Sequence, residues 1–163
     1  MDESPFVPEP FTLPGTSLLA VVRTMLDGYD YRHELLGDNA VRFSIRMSRG
    51  IVFVLFWVSE ELRTVTVTGM MGVYMPVDRR AVAAELASRI NYGLFTGSFE
   101  VDFSDGEVRY RIGHGVGDDD FSAGAADRML GYTLSAVNGH LEAFMNVGFS
   151  GMEAEAALVM VGG

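Results

Sequence analysis

Three histidines, His33, His114 and His140, are the residues of this chain best suited to bind a metal or move a proton. A zinc site needs ligands at short, fixed spacings such as His-x-x-x-His or Glu-x-x-His, and none of the three has such a neighbour. Cysteine is absent, so neither a thiol nucleophile nor a thiolate metal site can form. No Gly-x-Ser-x-Gly turn presents a serine. One loop comes nearer to chemistry. Gly113-His-Gly-Val-Gly117 follows a strand and precedes a helix, where glycines would let a pyrophosphate approach backbone amides. Asp118, Asp119 and Asp120 close that loop. Their carboxylates would repel a phosphate, and they instead favour the positive end of the next helix by about 0.3–1 kcal/mol each. Asp118 and Asp120 also fall short of a calcium loop's full ligand pattern. No catalytic, cofactor-binding or metal-binding residue is assigned, and the chain is read as non-enzymatic with no cofactor.

The elements that would position any site fit a single domain over 15–163, because a chain of 163 residues can bury about 70% of its unfolded surface. The formal net charge of −10 repels phosphate backbones and anionic lipid, so neither nucleic acid nor membrane is an expected partner. The absence of cysteine, the acidic start Met1-Asp-Glu-Ser-Pro and the shortness of the longest apolar run, Ile51 to Val58, lead to a cytoplasmic expectation. Residues 1–14 hold four of the five prolines among Phe6, Val7 and Phe11, which predicts an extended arm.

From Thr16, the spacing of Leu18, Leu19, Val22, Met25 and Leu26 predicts a helix capped by Thr16 or Ser17 and stopped at Gly28. Three strands follow. Val41 to Met47 alternates apolar residues with Arg42, Ser44 and Arg46, so its polar face is wet; Ile51 to Val58 is apolar on both faces and must be central and covered on both sides; Thr64 to Thr68 alternates threonine and valine. Asp78 is the expected cap of a second helix carrying Val82, Leu86 and Ile90. A third helix is expected from about Asp120, running through Asn138-Gly139 to Met145, and Ser150-Gly-Met-Glu153 reads as a capping box for a short last helix.

The segment Ile90 to Arg111 carries the strongest pattern. Gly93 is placed to end a helix. Phe99, Val101 and Phe103 then alternate with Ser98, Glu100 and Asp102, and Val108, Tyr110 and Ile112 alternate with Arg109 and Arg111. Asp105-Gly106 predicts a type I′ hairpin turn, with Glu100 and Asp102 set beside the arginines. Three strands, a helix and a two-stranded hairpin, flanked by N-terminal, middle and C-terminal helices, give an α+β domain with a five-stranded antiparallel sheet.

A helix ending in Asn-x-Gly, then an apolar strand, an Asp-Gly turn and a strand with alternating arginine resembles the YbjN family, in element order from about Thr16 to Val161. The resemblance implies a fold similar to the small chaperones of type III secretion and a role described as sensory-transduction regulation. It also implies an acidic homodimer that holds an extended segment of another protein without making or breaking a bond. The residues expected to meet that protein are Phe53, Leu55 and Trp57 of the doubly apolar strand, with Met70, Met71, Tyr74 and Met75, since methionine adapts to irregular partners. A small-molecule or metal-dependent enzyme built from scattered groups such as His114 and Asp118 to Asp120, and a structural subunit of a larger assembly, are the alternatives.

Overall fold

The computed structural model describes residues 16–117 and 119–162. The expected arm over 1–14, and Asp118 of the acidic loop, lie outside the described residues. Helix α1 (Leu18–Gly28) is capped as expected: the Ser17 side chain accepts from the Ala20 N–H, and Leu18, Val22, Met25 and Leu26 are buried on one side. Strands β1 (His33–Leu36), β2 (Ala40–Met47), β3 (Gly50–Ser59) and β4 (Thr64–Tyr74) follow. A 3₁₀ turn (Val77–Arg79) leads into α2 (Arg80–Gly93), and β5 (Ser98–Val101), β6 (Glu107–Gly115), α3 (Ala123–Phe149) and α4 (Ala154–Met160) complete the order.

The α+β class and the antiparallel sheet are as expected, but the sheet has six strands, in the order β1-β2-β3-β4-β6-β5. The added strand is β1, four residues paired with Ala40–Phe43. Its signal was the Gly37-Asp38-Asn39 turn that follows it, where Gly37 takes a φ of 61°. β3 is central, as its two apolar faces require.

All the helices that touch the sheet lie on one side of it: α1 packs on β2 and β3, α3 on β4 and β6, and α2 on β5, while α4 rests on α2 and α3. Beneath them, strand register lines up Val41, Phe56, Val67 and Ile112 in one row. Phe43, Val54, Gly69, Tyr110 and Phe99 form the next. Apart from Gly69 these are apolar side chains of the core. Gly69 is the point of closest approach, since a Cβ there would sit 2.6 Å from Thr133 Cγ2 and 3.1 Å from Val137 Cγ2 of α3. A side chain at that position would push the helix away from the sheet. α3 continues unbroken through Asn138-Gly139, as its apolar phase predicts.

Several ends differ from expectation for local reasons. The hairpin turn is not type I′, because only Gly106 has a positive φ, at 87°. Asp102 instead closes a longer loop: its N–H donates to the Glu107 carbonyl, its carbonyl accepts from the Gly106 N–H, and its carboxylate accepts from the Ser104 N–H and O–H at 2.7 and 2.6 Å. The two Ser104 bonds hold the Asp102 carboxyl below its ordinary value, and they leave Phe103 exposed at the tip rather than in the strand. Gly93 does not take a left-handed φ. Asp78 lies in the 3₁₀ turn and caps nothing, α3 begins at Ala123 on a Ser122 cap, and Glu153 rather than Ser150 is the cap residue of α4.

Tyr110 ties the hairpin to the loop before it, donating from its hydroxyl to the Thr96 carbonyl at 2.6 Å. Burial raises its pKa above the ordinary tyrosine value. The folded state therefore holds this proton more tightly than the unfolded state, so its contribution to stability is complete below the unfolded value of about 10 and is lost as pH rises through the folded value. Urea midpoints measured from about pH 8 to 11 are expected to fall more steeply in the parent chain than in Tyr110→Phe. Parallel slopes would contradict this.

Candidate functional site

A strand in mid-sheet sends alternate side chains to opposite sides, and with every sheet-packed helix on one side the other is left to whatever the sequence puts there. On the helix side of β3, Val52, Val54, Phe56 and Val58 are buried. On the other side Ile51, Phe53 and Trp57 are 43%, 49% and 52% exposed, with Leu55 half-buried between them. Large apolar side chains in a row on an open sheet face are the pattern of an interaction surface rather than of a solvated one.

Register places the neighbours of this row. Ser44, Phe53, Met70, Arg109 and Glu100 lie side by side across the sheet, and Arg42, Leu55, Thr68, Arg111 and Ser98 form the row beside it. β4 then bulges between Met70 and Tyr74, with Gly72 at a φ of 66°. The bulge ends with Tyr74 opposite Glu107, its ring exposed on the open side. Phe53, Met70, Tyr74 and Arg42 share the walls of a groove of about 840 Å³.

Of the seven residues expected to meet a partner, the structure brings Phe53, Leu55, Trp57, Met70 and Tyr74 to this one face. Met71 and Met75 are corrected: they point the other way and are buried in the core, at 4% and 1% exposure. Methionine serves there as core filling, with the Met75 sulfur close against Gly148 of α3.

The sequence offers Arg42 and Arg46, on the polar face of their strand, as groups that could pair with acids of a partner; the structure adds a second pair of arginines to the same face. All twelve basic residues of the chain are arginines, and Arg42, Arg46, Arg109 and Arg111 stand on this side, two on β2 and two on β6. Glu100 accepts from Arg109 Nε at 2.8 Å and also bonds Arg111, and Glu34 accepts from Arg42 Nε at 2.7 Å. Among the described residues no carboxylate lies within salt-bridge distance of Arg46. The alternation of arginine in both strands was visible. That the two strands border the same apolar rows depends on the order β2-β3-β4-β6, which pattern does not reveal. An apolar centre rimmed by guanidinium groups can hold an extended chain that carries both apolar and acidic side chains.

The histidines are not gathered. His33 on β1 has Nδ1 2.9 Å from the Tyr31 carbonyl, His114 on β6 lies against Phe121, and His140 on α3 has Nδ1 2.9 Å from the Ala136 carbonyl. Among the described residues no three His, Cys, Asp or Glu side chains come together as metal ligands, and no helix is long and apolar enough to cross a membrane.

No curated protein matches the chain. A family model does, over residues 18–145, from the first residue of α1 to the last turns of α3, and it is described as "Putative bacterial sensory transduction regulator". With the match spanning most of the chain and the whole sheet just described, this protein belongs to the YbjN family.

Proposed function

We propose that the chain is a non-enzymatic regulator that works by binding another protein on the open face of β3, as a cytoplasmic, chaperone-like adaptor. The observation that carries this reading is the row Ile51, Phe53 and Trp57, apolar and exposed in the middle of a six-stranded sheet, with Leu55 half-buried among them. The family's description as a regulator supports it. A folded chain gains nothing by leaving three large apolar side chains in water, whereas burying them against a partner contributes about 25 cal/mol per Å² of apolar surface removed from water.

The protein acts as a homodimer whose subunits leave this face free. Tyr92 and Phe95, almost fully exposed at the end of α2, lie on a different part of the chain and are better suited to subunit contact. Light scattering is expected to return twice the chain mass, both for the parent and for a chain with Phe53→Ser and Trp57→Ser. A monomer in both cases removes the dimer, and a dimer lost only in the double variant places the contact on the open face instead.

A further inference from the structure

Both edges of the sheet carry the same device, a four-residue strand whose glutamate bonds an arginine of its neighbour, and each leaves part of that neighbour uncovered; only on β2 does the uncovered part carry an arginine. β6 alternates Val108, Arg109, Tyr110, Arg111 and Ile112, and β5 lies along it with Glu100 bonded to both arginines. β2 has the same alternation, Val41, Arg42, Phe43, Ser44, Ile45, Arg46 and Met47, and β1 lies along it with Glu34 bonded to Arg42. β1, however, reaches only from Ala40 to Phe43. From Ser44 to Met47, β2 pairs with β3 on one side, and among the described residues none of its backbone groups bonds outward on the other. Arg46 stands on this stretch with no carboxylate within salt-bridge distance among the described residues.

An uncapped edge of this kind is a template for another strand. An arginine does not forbid pairing, since β6 carries two and is paired on both sides. Residues 1–15 hold four prolines, none with an N–H to give, so they offer fewer ladder donors than a proline-free segment of a partner.

We propose that Ser44–Met47 receives an extended segment of a partner protein as an added strand alongside β2, in line with β1. The segment alternates carboxylates with apolar side chains. A carboxylate meets Arg46 on the open side, as Glu100 meets Arg109, and an apolar side chain meets half-buried Ile45 or Met47 on the helix side. The inference rests on the reading of this protein as a protein binder, and it adds the mode of recognition and the chemistry of the partner: main-chain bonds supply affinity and the alternation supplies specificity.

The test uses the full chain and three labelled peptides of about twelve residues. The first alternates glutamate with valine, the second replaces glutamate with lysine, and the third is the first with two valines changed to proline. Fluorescence anisotropy is expected to show the glutamate peptide binding, the proline peptide failing, and Arg46→Glu weakening the glutamate peptide by about tenfold or more while the lysine peptide gains on that variant. Hydrogen exchange is expected to slow at alternate amides within Ser44–Met47 when the glutamate peptide is present. Failure of all three peptides, or glutamate-peptide binding indifferent to Arg46→Glu, overturns the added strand. Binding that is instead abolished by Phe53→Ser with Trp57→Ser and leaves the β2 amides unprotected also overturns it, while leaving the open-face reading intact.

Discussion

Phe144→Ala is expected to lower the stability of this protein by about 3–5 kcal/mol, the range for removing a large aromatic side chain from a packed core. Phe144 is fully buried on α3, and its ring lies 5.3 Å from that of Phe99 on β5. Phe99 in turn packs edge-on against Tyr110 and His140, both at 5.2 Å. This aromatic cluster joins the longest helix to the outer hairpin, so the loss includes both transfer and cavity terms, and neighbours held on a sheet cannot collapse to fill the space. Urea unfolding should show the midpoint falling at unchanged m-value. A change under about 1 kcal/mol would mean that α3 is not locked to the sheet through this cluster.

The second large effect concerns binding. Phe53→Ser combined with Trp57→Ser removes two half-exposed apolar groups from the open face. Surface changes of this kind usually alter stability by about 0.5 kcal/mol or less each, so the variant should fold with a melting profile close to the parent. If the face is a protein-binding surface, aromatic side chains at its centre are the expected hot spots, and their loss should weaken a retained partner by about thirtyfold or more, equivalent to about 2 kcal/mol. A control pair of exposed apolar residues on α4, Val159→Ser with Met160→Ser, should leave partner affinity unchanged. Equal loss in both pairs would show that hydrophobicity in general, rather than this face, governs retention.

The fold was largely legible because its strands declare themselves by alternation. Val41 to Met47 and Val108 to Ile112 show period two, and the doubly apolar Ile51 to Val58 could only be central. β1 was not legible, because four residues, His-Glu-Leu-Leu, are too few to show a period. The extension of β4 through Gly69 and Gly72 was hidden by the glycines, which the sequence presents as breakers but which serve here for close helix contact and a bulge. The side-chain hydrogen bonds of Asp102 outweighed the Asp-Gly signal in choosing the hairpin loop.

The candidate face was half legible. Phe53, Leu55 and Trp57 follow from the apolar run alone, whereas separating Met70 and Tyr74 from Met71 and Met75 required knowing that β4 runs on to Tyr74, just before Met75, with one buried side. The arginine borders depended on strand order, a long-range property that local spacing does not carry.

Trp57 is the only tryptophan in the chain and stands half-exposed on the open face, so its emission reports on that face alone. The most direct test is to titrate a partner purified by its retention on the parent chain into the free protein, exciting tryptophan selectively and subtracting the partner's own signal. Burial of the face predicts a saturable shift of Trp57 emission to shorter wavelength that follows the binding curve. Binding that saturates with the Trp57 spectrum unchanged, and with undiminished affinity for the variant carrying Phe53→Ser and Trp57→Ser, would contradict the assignment of the open side of β3 as the working surface.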